Sequence, residues 1–385
     1  MAKIDRILQL LETRIARGDY AMTLFPTEHG LAEEMSVGRM TARRAILRLV
    51  DKGLIFRDSS GRMSVTTERL ADRPMHIGFV AATLSSASLR WQNSAQENVQ
   101  SVGGHMRVVT YFHWDDPTLL EVTDSFDGIF LIPPAETLPP QLAERLLSSR
   151  ARIVALGADF SALGLRSIDT VSTRSVDALM EHLEQLGHRE IAVINTQPMV
   201  PAIEERLTHW QNWMAGRNYS GELINEPEAS YGDPMKRAYT VMNERLEKGQ
   251  GFGGTAILCT TLPATLGIMR AANEHGLTIG RDISICTVND EGLARFLSPT
   301  LTSTQLVNSN QLLRDCIEWM SGGEWVGPLL KTSQDVGLFI GDSTGPAPQN
   351  SPKVCIDMSK QLPTLPKSRS GQKSKSKTDR LVEIG

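Results

Sequence analysis

Four residues near the N-terminus, Arg39, Thr41, Arg43 and Arg44, have the types and spacing that reading a nucleic acid requires. A guanidinium can donate two parallel hydrogen bonds to the O6/N7 edge of guanine, and neighbouring arginines and hydroxyls can hold phosphate oxygens. Such groups must project from one face of a rigid element, and the spacing predicts one. At about 100° per residue, Ala42, Ala45, Ile46 and Leu49 form an apolar stripe, with Arg39, Met40, Arg43 and Arg44 opposite. A solvated helix face carries charge in the same way, so the arginines alone do not decide.

The flanking residues supply the rest of a module. Thr27 and Glu28 open a shorter helical pattern with Leu31, Ala32 and Met35 as its stripe, and Ser36-Val37-Gly38 breaks it. The arginine helix then starts at Gly38 or Arg39 and ends at Gly53, a good terminator. Residues 54–56 and 63–65 read as two short strands around a polar turn that contains Gly61 and Arg62. Helix, three-residue turn, arginine helix, glycine and hairpin together predict a helix-turn-helix with a wing.

This stretch resembles the winged-helix domain of the GntR family over about the first 66 residues. Pro26-Thr27-Glu28 stands where that family has Pro-Ser-Glu or Pro-Ala-Glu, and Val37-Gly38-Arg39-Met40-Thr41-Ala42-Arg43 matches its Val-Ser-Arg-x-Thr-Val-Arg. The resemblance implies that Arg39, Thr41 and Arg43 contact bases and phosphates, and that Gly61 is the wing tip. The candidate DNA-binding set is Thr27, Glu28, Arg39, Thr41, Arg43, Arg44, Gly61 and Arg62. Two departures stand out: His29 replaces a frequent Arg, and Gly38 replaces a capping Ser, a tolerable change at an N-cap.

Bulk composition is less informative. A chain of 385 residues with net charge −4 has room for two or three domains. Residues 1–70 hold twelve Lys/Arg against nine Asp/Glu, so DNA affinity must come from a local basic face. The first fourteen residues read as an amphipathic helix and not as a signal peptide. No apolar run approaches the roughly 18 residues of a membrane span. The four cysteines form no CxxC pair, which fits a reduced cytoplasmic setting.

After a polar linker (residues 67–74), strand-like runs at 76–80, 107–111, 128–132, 152–156, 190–194, 256–258 and 283–286 alternate with helical patterns such as 175–186, 203–215 and 236–248. Alternation of this kind predicts doubly wound parallel sheets covered on both faces, and some 270 residues imply two lobes. Residues 75–346 resemble the effector-binding domain of the LacI/GalR regulators, a two-lobed α/β fold shared with periplasmic binding proteins. The marks are Phe126-Asp127-Gly128-Ile129, the Leu186-Gly187-His188-Arg189 turn, the Pro299-Thr300-Leu301-Thr302-Ser303 stretch and Asp342-Ser343-Thr344-Gly345-Pro346. A GntR head on a LacI-type sensor is similar to the arabinose-repressor subgroup. The resemblance places the first lobe at about 75–158 plus 291–322 and the second at about 159–290 plus 323–342. The crossings then fall near Gly157, Asn289-Asp290 and Thr302 to Gln305.

The resemblance also implies a small-molecule effector, a sugar or another ligand, bound between the lobes. Arg206 sits where sugar-binding members have a clamping Arg, but His209-Trp210 replace the usual Gly-Phe. Thr261-Leu262 replace an Asn-Asp pair, Asn289-Asp290 a late Asp-Asp pair, and Val171-Ser172 an Asp-Asn. Trp91 and Tyr231 could stack on a ligand. For each residue a plainer role stays open: a salt bridge to a neighbouring helix for Arg206, a cap or hinge bond for Asp290, packing for Trp91 and Tyr231. No His/Cys cluster has metal spacing, no catalytic constellation stands out, and no cofactor is expected. Gly251 to Gly254 reads as a flexible connection, and His188 as a turn residue bonding backbone. Residues 347–385 read as a disordered basic Pro/Ser/Lys-rich tail.

The expectation is a transcriptional regulator of the repressor type, a homodimer on two-fold-related half-sites of double-stranded operator DNA, with no membrane association. The alternative is a small-molecule-binding protein or α/β enzyme with a degenerate, non-reading head.

Overall fold

The computed structural model describes residues 3–20, 25–57, 62–66, 74–82, 86–123, 125–171, 174–305, 308–332 and 336–348. Gly61, most of the wing turn and the linker, Ser172 and nearly all of the tail lie outside the described residues.

The head contains α1 (Lys3–Ala16), α2 (Glu28–Glu34), α3 (Arg39–Asp51), β1 (Ile55–Arg57) and β2 (Met63–Val65). Its core is the one the periodicity predicts. Ile7, Leu8, Leu11 and Ile15 of α1 meet Leu31 and Ala32 of α2 and the buried stripe Ala42, Ala45, Ile46 and Leu49 of α3. The antiparallel hairpin closes that core with Ile55 and Met63. Gly38 is the N-cap of α3 with no side-chain bond, and the Thr27 hydroxyl caps α2 by accepting the Gly30 N–H at 3.1 Å.

Beyond residue 74 the first elements are β3 (His76–Ala81), α4 (Ser86–Ser101), β4 (His105–Thr110), α5 (Pro117–Val122), β5 (Gly128–Ile132), α6 (Pro140–Leu147), β6 (Arg152–Leu156) and β7 (Arg166–Asp169). Then come α7 (Arg174–Gln185), β8 (Ile191–Asn195), α8 (Pro201–Arg217), β9 (Leu223–Asn225), α9 (Pro234–Glu247), β10 (Ala256–Cys259), α10 (Leu262–Glu274), β11 (Ser284–Thr287) and β12 (Thr302–Gln305). The last elements are α11 (Asn310–Met320), β13 (Leu330–Thr332) and β14 (Gly337–Phe339).

They build two six-stranded sheets, β13-β7-β6-β5-β3-β4 and β14-β12-β11-β10-β8-β9. All pairings are parallel except β12 with β14. Every residue of β3, β8, β10 and β11 is buried, as expected of parallel strands with helices on both faces.

Sheet membership fixes where the chain crosses between lobes. β7 pairs with β6 and β13 with β7, so the first lobe runs to Asp169 and regains residues 330–332. β12 pairs with β11, so the second lobe keeps the chain to Gln305. The crossings therefore follow Asp169, Gln305 and Thr332: the one expected near Thr302 to Gln305 falls at the end of that stretch, and those expected near Gly157 and Asn289-Asp290 do not. The added strands have three or four residues each and carry polar groups, which hides them from hydropathy.

One turn reading changes, and the backbone bond expected of His188 is found with two hydroxyl partners besides. Gly254 is a tight crossing and not a flexible link: a Cβ there would lie 2.6 Å from the Glu190 carbonyl oxygen. His188 is fully buried, and its ring bonds the Thr255 hydroxyl at 2.9 Å and the Ser284 hydroxyl and Gly345 carbonyl at 3.0 Å each. With Ser343, whose hydroxyl donates to Ile285 O at 2.6 Å, it stitches the 342–346 segment into the second lobe.

Candidate DNA-reading face and effector cleft

On α3 the predicted face is exposed. The Arg39 and Arg43 side chains are 75% and 56% accessible, and both lean toward one carboxylate. Glu28 Oε2 lies 3.6 Å from Arg39 Nε, and its Oε1 lies 3.9 Å from Arg43 Nε. Both distances exceed hydrogen-bond range, so Glu28 gathers the guanidiniums without saturating them. Of the two predicted site residues before α3, Thr27 caps α2 and Glu28 faces Arg39 and Arg43. Arg44 and Arg62 are exposed, and Thr41 is partly exposed. The basic residues on the back of α3 are committed elsewhere: Arg48 pairs with Asp5 at 3.3 Å and Lys52 with Glu12 at 2.5 Å, both on α1.

The end of α1 also touches the first lobe. His76, at the start of β3, places Nε2 2.5 Å from Ala16 O, so this nitrogen is the donor. Arg107 of β4 donates to Gly18 O at 3.0 Å and Asp19 O at 3.1 Å. These donors satisfy carbonyls at a helix C-terminus, where positive charge is favoured. The sequence pattern gave no hint of this contact.

The cleft lies where the C-terminal ends of both sheets converge, and it divides the predicted effector residues. Arg206 of α8 is half-buried and donates from Nη1 to Thr260 O at 2.7 Å. Burial lowers its pKa, and the Asp169 and Glu205 carboxylates pull it back up. Asp169, at the end of β7 in the other lobe, is raised by burial against a 2.9 Å bond from Val171 N–H. Arg206 therefore makes no ion pair with a neighbouring helix among the described residues. Thr261 accepts from Gln197 Nε2 at 3.3 Å, beside a buried Asn195 that accepts from Thr260 Oγ1 at 3.0 Å.

Asp290 is 2% exposed. Its Oδ1 accepts the Gly292 N–H at 2.9 Å and faces Arg90 Nη1 of α4 at 3.8 Å, across the lobes. Asn289 (φ 58°) and Glu291 (φ 49°) flank it in the left-handed region, which costs non-glycine residues energy. The Asn289 Oδ1 accepts from Glu291 N at 3.1 Å. The cap-type bond expected as the plainer role for Asp290 is thus present. Trp91 is 7% exposed, packs in the first-lobe core and walls a cavity of about 320 Å³. Arg90, Ser94 and Thr170 also line that cavity, with residues 308–310 at the start of α11. Arg206, Thr261, Asn289, Asp290 and Tyr231 are not among its lining residues. Tyr231 is 55% exposed at the cleft rim. Partial desolvation, then a hydrogen bond with Glu136 of the first lobe, push its phenol up to about 12. Next to it, Ser230 Oγ donates to Ala135 O at 3.2 Å, a second rim contact between lobes.

Sequence reasoning missed Arg90, Asp169, Asn195 and Glu136. Their partners lie tens to hundreds of positions away, so no local pattern marks them.

Among the described residues no group of three or more His, Cys, Asp or Glu could hold a metal ion, and no helix is long and apolar enough to cross a membrane. Cys259, Cys286 and Cys316 are free and buried.

Fold and site together define a small helix-turn-helix head with a two-stranded hairpin, joined to a two-lobed α/β domain. Comparison with known proteins gives each part a relative. Residues 3–65 match the family described as bacterial regulatory proteins, gntR family, and residues 180–321 match the periplasmic binding protein-like domain. The chain is 27% identical over 125 residues to the HTH-type transcriptional regulator GalR of Escherichia coli (strain K12), covering 32% of this chain and 35% of that one. It is 28% identical over 124 residues to the lactose operon repressor of the same strain, covering 32% and 33%. With the HTH-type transcriptional regulator AglR of Rhizobium meliloti (strain 1021) it shares 28% over 179 residues, covering 44% and 48%. The alignments thus span about a third to a half of these relatives. A dimeric Lac repressor with an 11-residue C-terminal deletion superposes with a TM-score of 0.59 at 20% identity, over 71% of this chain and all of that one. The Lac repressor bound to ONPG in its repressed state gives 0.59 at 18% identity, over 80% and 90%. These superpositions show a shared fold. Residues 3–65 thus match the gntR family, and the rest of the described chain has the fold of LacI-family repressors.

Proposed function

We propose that this protein is a sequence-specific DNA-binding transcriptional regulator, a repressor whose operator affinity is set by a small molecule bound between its lobes. The observation that carries the reading is the exposed arginine face of α3, gathered by Glu28 on a packed helix-turn-helix. Arg39, Thr41 and Arg43 read the major groove; Arg44 and Arg62 hold the backbone. The names of the curated relatives, GalR, AglR and the lactose operon repressor, support regulation over catalysis. The protein acts in the bacterial cytoplasm, and on the nucleoid when bound, as a homodimer on two-fold-related half-sites. The effector is a sugar or another small molecule.

Fluorescence anisotropy of the full chain with labelled duplex across a salt series tests this reading. Affinity should fall linearly on a log–log plot as counterions are released, with a tighter class of sequences standing above competitor DNA. Equal affinity for all duplexes would leave the head non-reading and favour a binding protein or enzyme.

A further inference from the structure

The cavity beside α4 is lined by one cation, Arg90, and by no acid among the described residues. Ser94, Thr170 and Ser309 bring hydroxyls, Asn308 and Asn310 bring amides, and Trp91 supplies a flat wall. Arg90 itself is underused. Its charge partner Asp290 stands 3.8 Å off, beyond hydrogen-bond range, and one oxygen of that carboxylate is already held by Gly292 N–H. The turn closes directly on the guanidinium: a Cβ on Gly292 would come within 2.9 Å of Arg90 Nη1. The pair is also a bridge, because Arg90 belongs to the first lobe and Asp290 to the second.

We propose that this cavity binds a small polyhydroxylated anion, bearing a phosphate or carboxylate, whose charged group takes Arg90 from Asp290. The inference rests on the effector reading above and names the ligand class. A neutral sugar can satisfy the hydroxyls and amides but leaves Arg90 with its distant partner. An anion gains a charge-assisted, potentially bidentate bond, the stronger kind. The positive end of α11, whose N-cap Ser309 makes no side-chain cap, adds to the same potential. Because Arg90 leaves the second lobe when it turns to the ligand, occupancy and the lobe-to-lobe bridge exclude one another. That exclusion gives the ligand a differential affinity for two lobe arrangements, which any population shift requires.

The test uses the full-length protein without DNA, so its outcome is independent of whether the head reads an operator. Melting temperatures are measured in inorganic phosphate, glucose 6-phosphate, glucuronate and glucose, each against chloride at matched ionic strength. Phosphate and at least one charged sugar should raise the melting temperature while glucose does not. Which charged sugar acts separates a phosphate from a carboxylate ligand. Arg90→Gln should weaken the best charged probe by roughly tenfold or more, and Arg90→Lys should retain most of its binding. Asp290→Asn keeps an oxygen for Gly292 but removes the competing charge, and should tighten the probe by roughly threefold or more. Stabilisation by glucose equal to that by glucose 6-phosphate, or no stabilisation above chloride, overturns the ligand class. An Asp290→Asn protein with unchanged or weaker binding overturns the exchange.

Discussion

The reading helix and the sensor cleft use arginine in opposite ways. On α3, Arg39 and Arg43 stand in solvent beside a carboxylate too distant to bind them, so their donors remain available to a partner. In the cleft, Arg206 has spent a donor on the Thr260 carbonyl, and Arg90 spans two lobes toward a buried aspartate. The first arrangement leaves charge held ready at an exposed surface. In the second, Arg206 is committed within its own lobe, and Arg90 faces a carboxylate of the other lobe without a hydrogen bond to it. The contrast extends along α3, where Arg48 and Lys52 pair with α1 and serve the fold.

The comparison can be broken most severely at the head's core. Leu49→Ala should cost about 2–5 kcal/mol, because Leu49 is fully buried between α1 and α2. Chemical unfolding should show the head transition shifted and the sensor transition unmoved; a joint shift would mean that the two regions unfold as one. Arg206→Ala should leave operator binding intact and weaken the effector's ability to release DNA by about 1.5–3 kcal/mol. Release at an unchanged ligand concentration would move the clamp elsewhere. Arg43→Ala should lower specific operator affinity by about 1–3 kcal/mol, while Arg48→Ala stays within about 0.5 kcal/mol. Equal losses in a mobility-shift titration would erase the distinction between the two sides of α3.

The smallest effect is expected from pH and touches only the sensor. Burial pulls His188 and His182 below the usual histidine range. The unfolded chain then binds their protons more readily than the folded one. Their contribution is intact above about pH 6.5 and is lost as pH falls from there through the lower folded values. The urea midpoint of the sensor transition should drop between about pH 7.5 and about pH 5, and the drop should shrink in His188→Asn. The same pH dependence in both proteins would clear His188 of the role.

These two regions were not equally legible in the sequence. The head is local: Ala42, Ala45, Ile46 and Leu49 repeat with a helical period, and the stripe marks the outward face without any tertiary knowledge. The buried apolar strands β3, β5, β6 and β10 were equally plain, because apolar runs bounded by glycine and polar residues have few other readings. The short strands β7, β9, β12, β13 and β14 were not, since their place is fixed by neighbours rather than by composition. β7 and β12 alone relocated two of the lobe crossings. The cleft was least legible. Arg90 and Asp290 lie 200 positions apart, and Asp169 reaches Arg206 only because two sheets converge. Family resemblance directed attention to Arg206 and Asp290, but the bonds that give them a role come from the fold.

Selection from a random DNA pool by the full-length protein tests the central claim most directly. After several rounds at moderate salt, bound sequences should converge on one motif with two-fold-related halves. The same selection with Arg39→Ala/Arg43→Ala should recover no motif while that protein stays folded. A pool that remains random with the unaltered protein, or the same motif recovered with both proteins, would contradict the assignment of α3 as the reading helix.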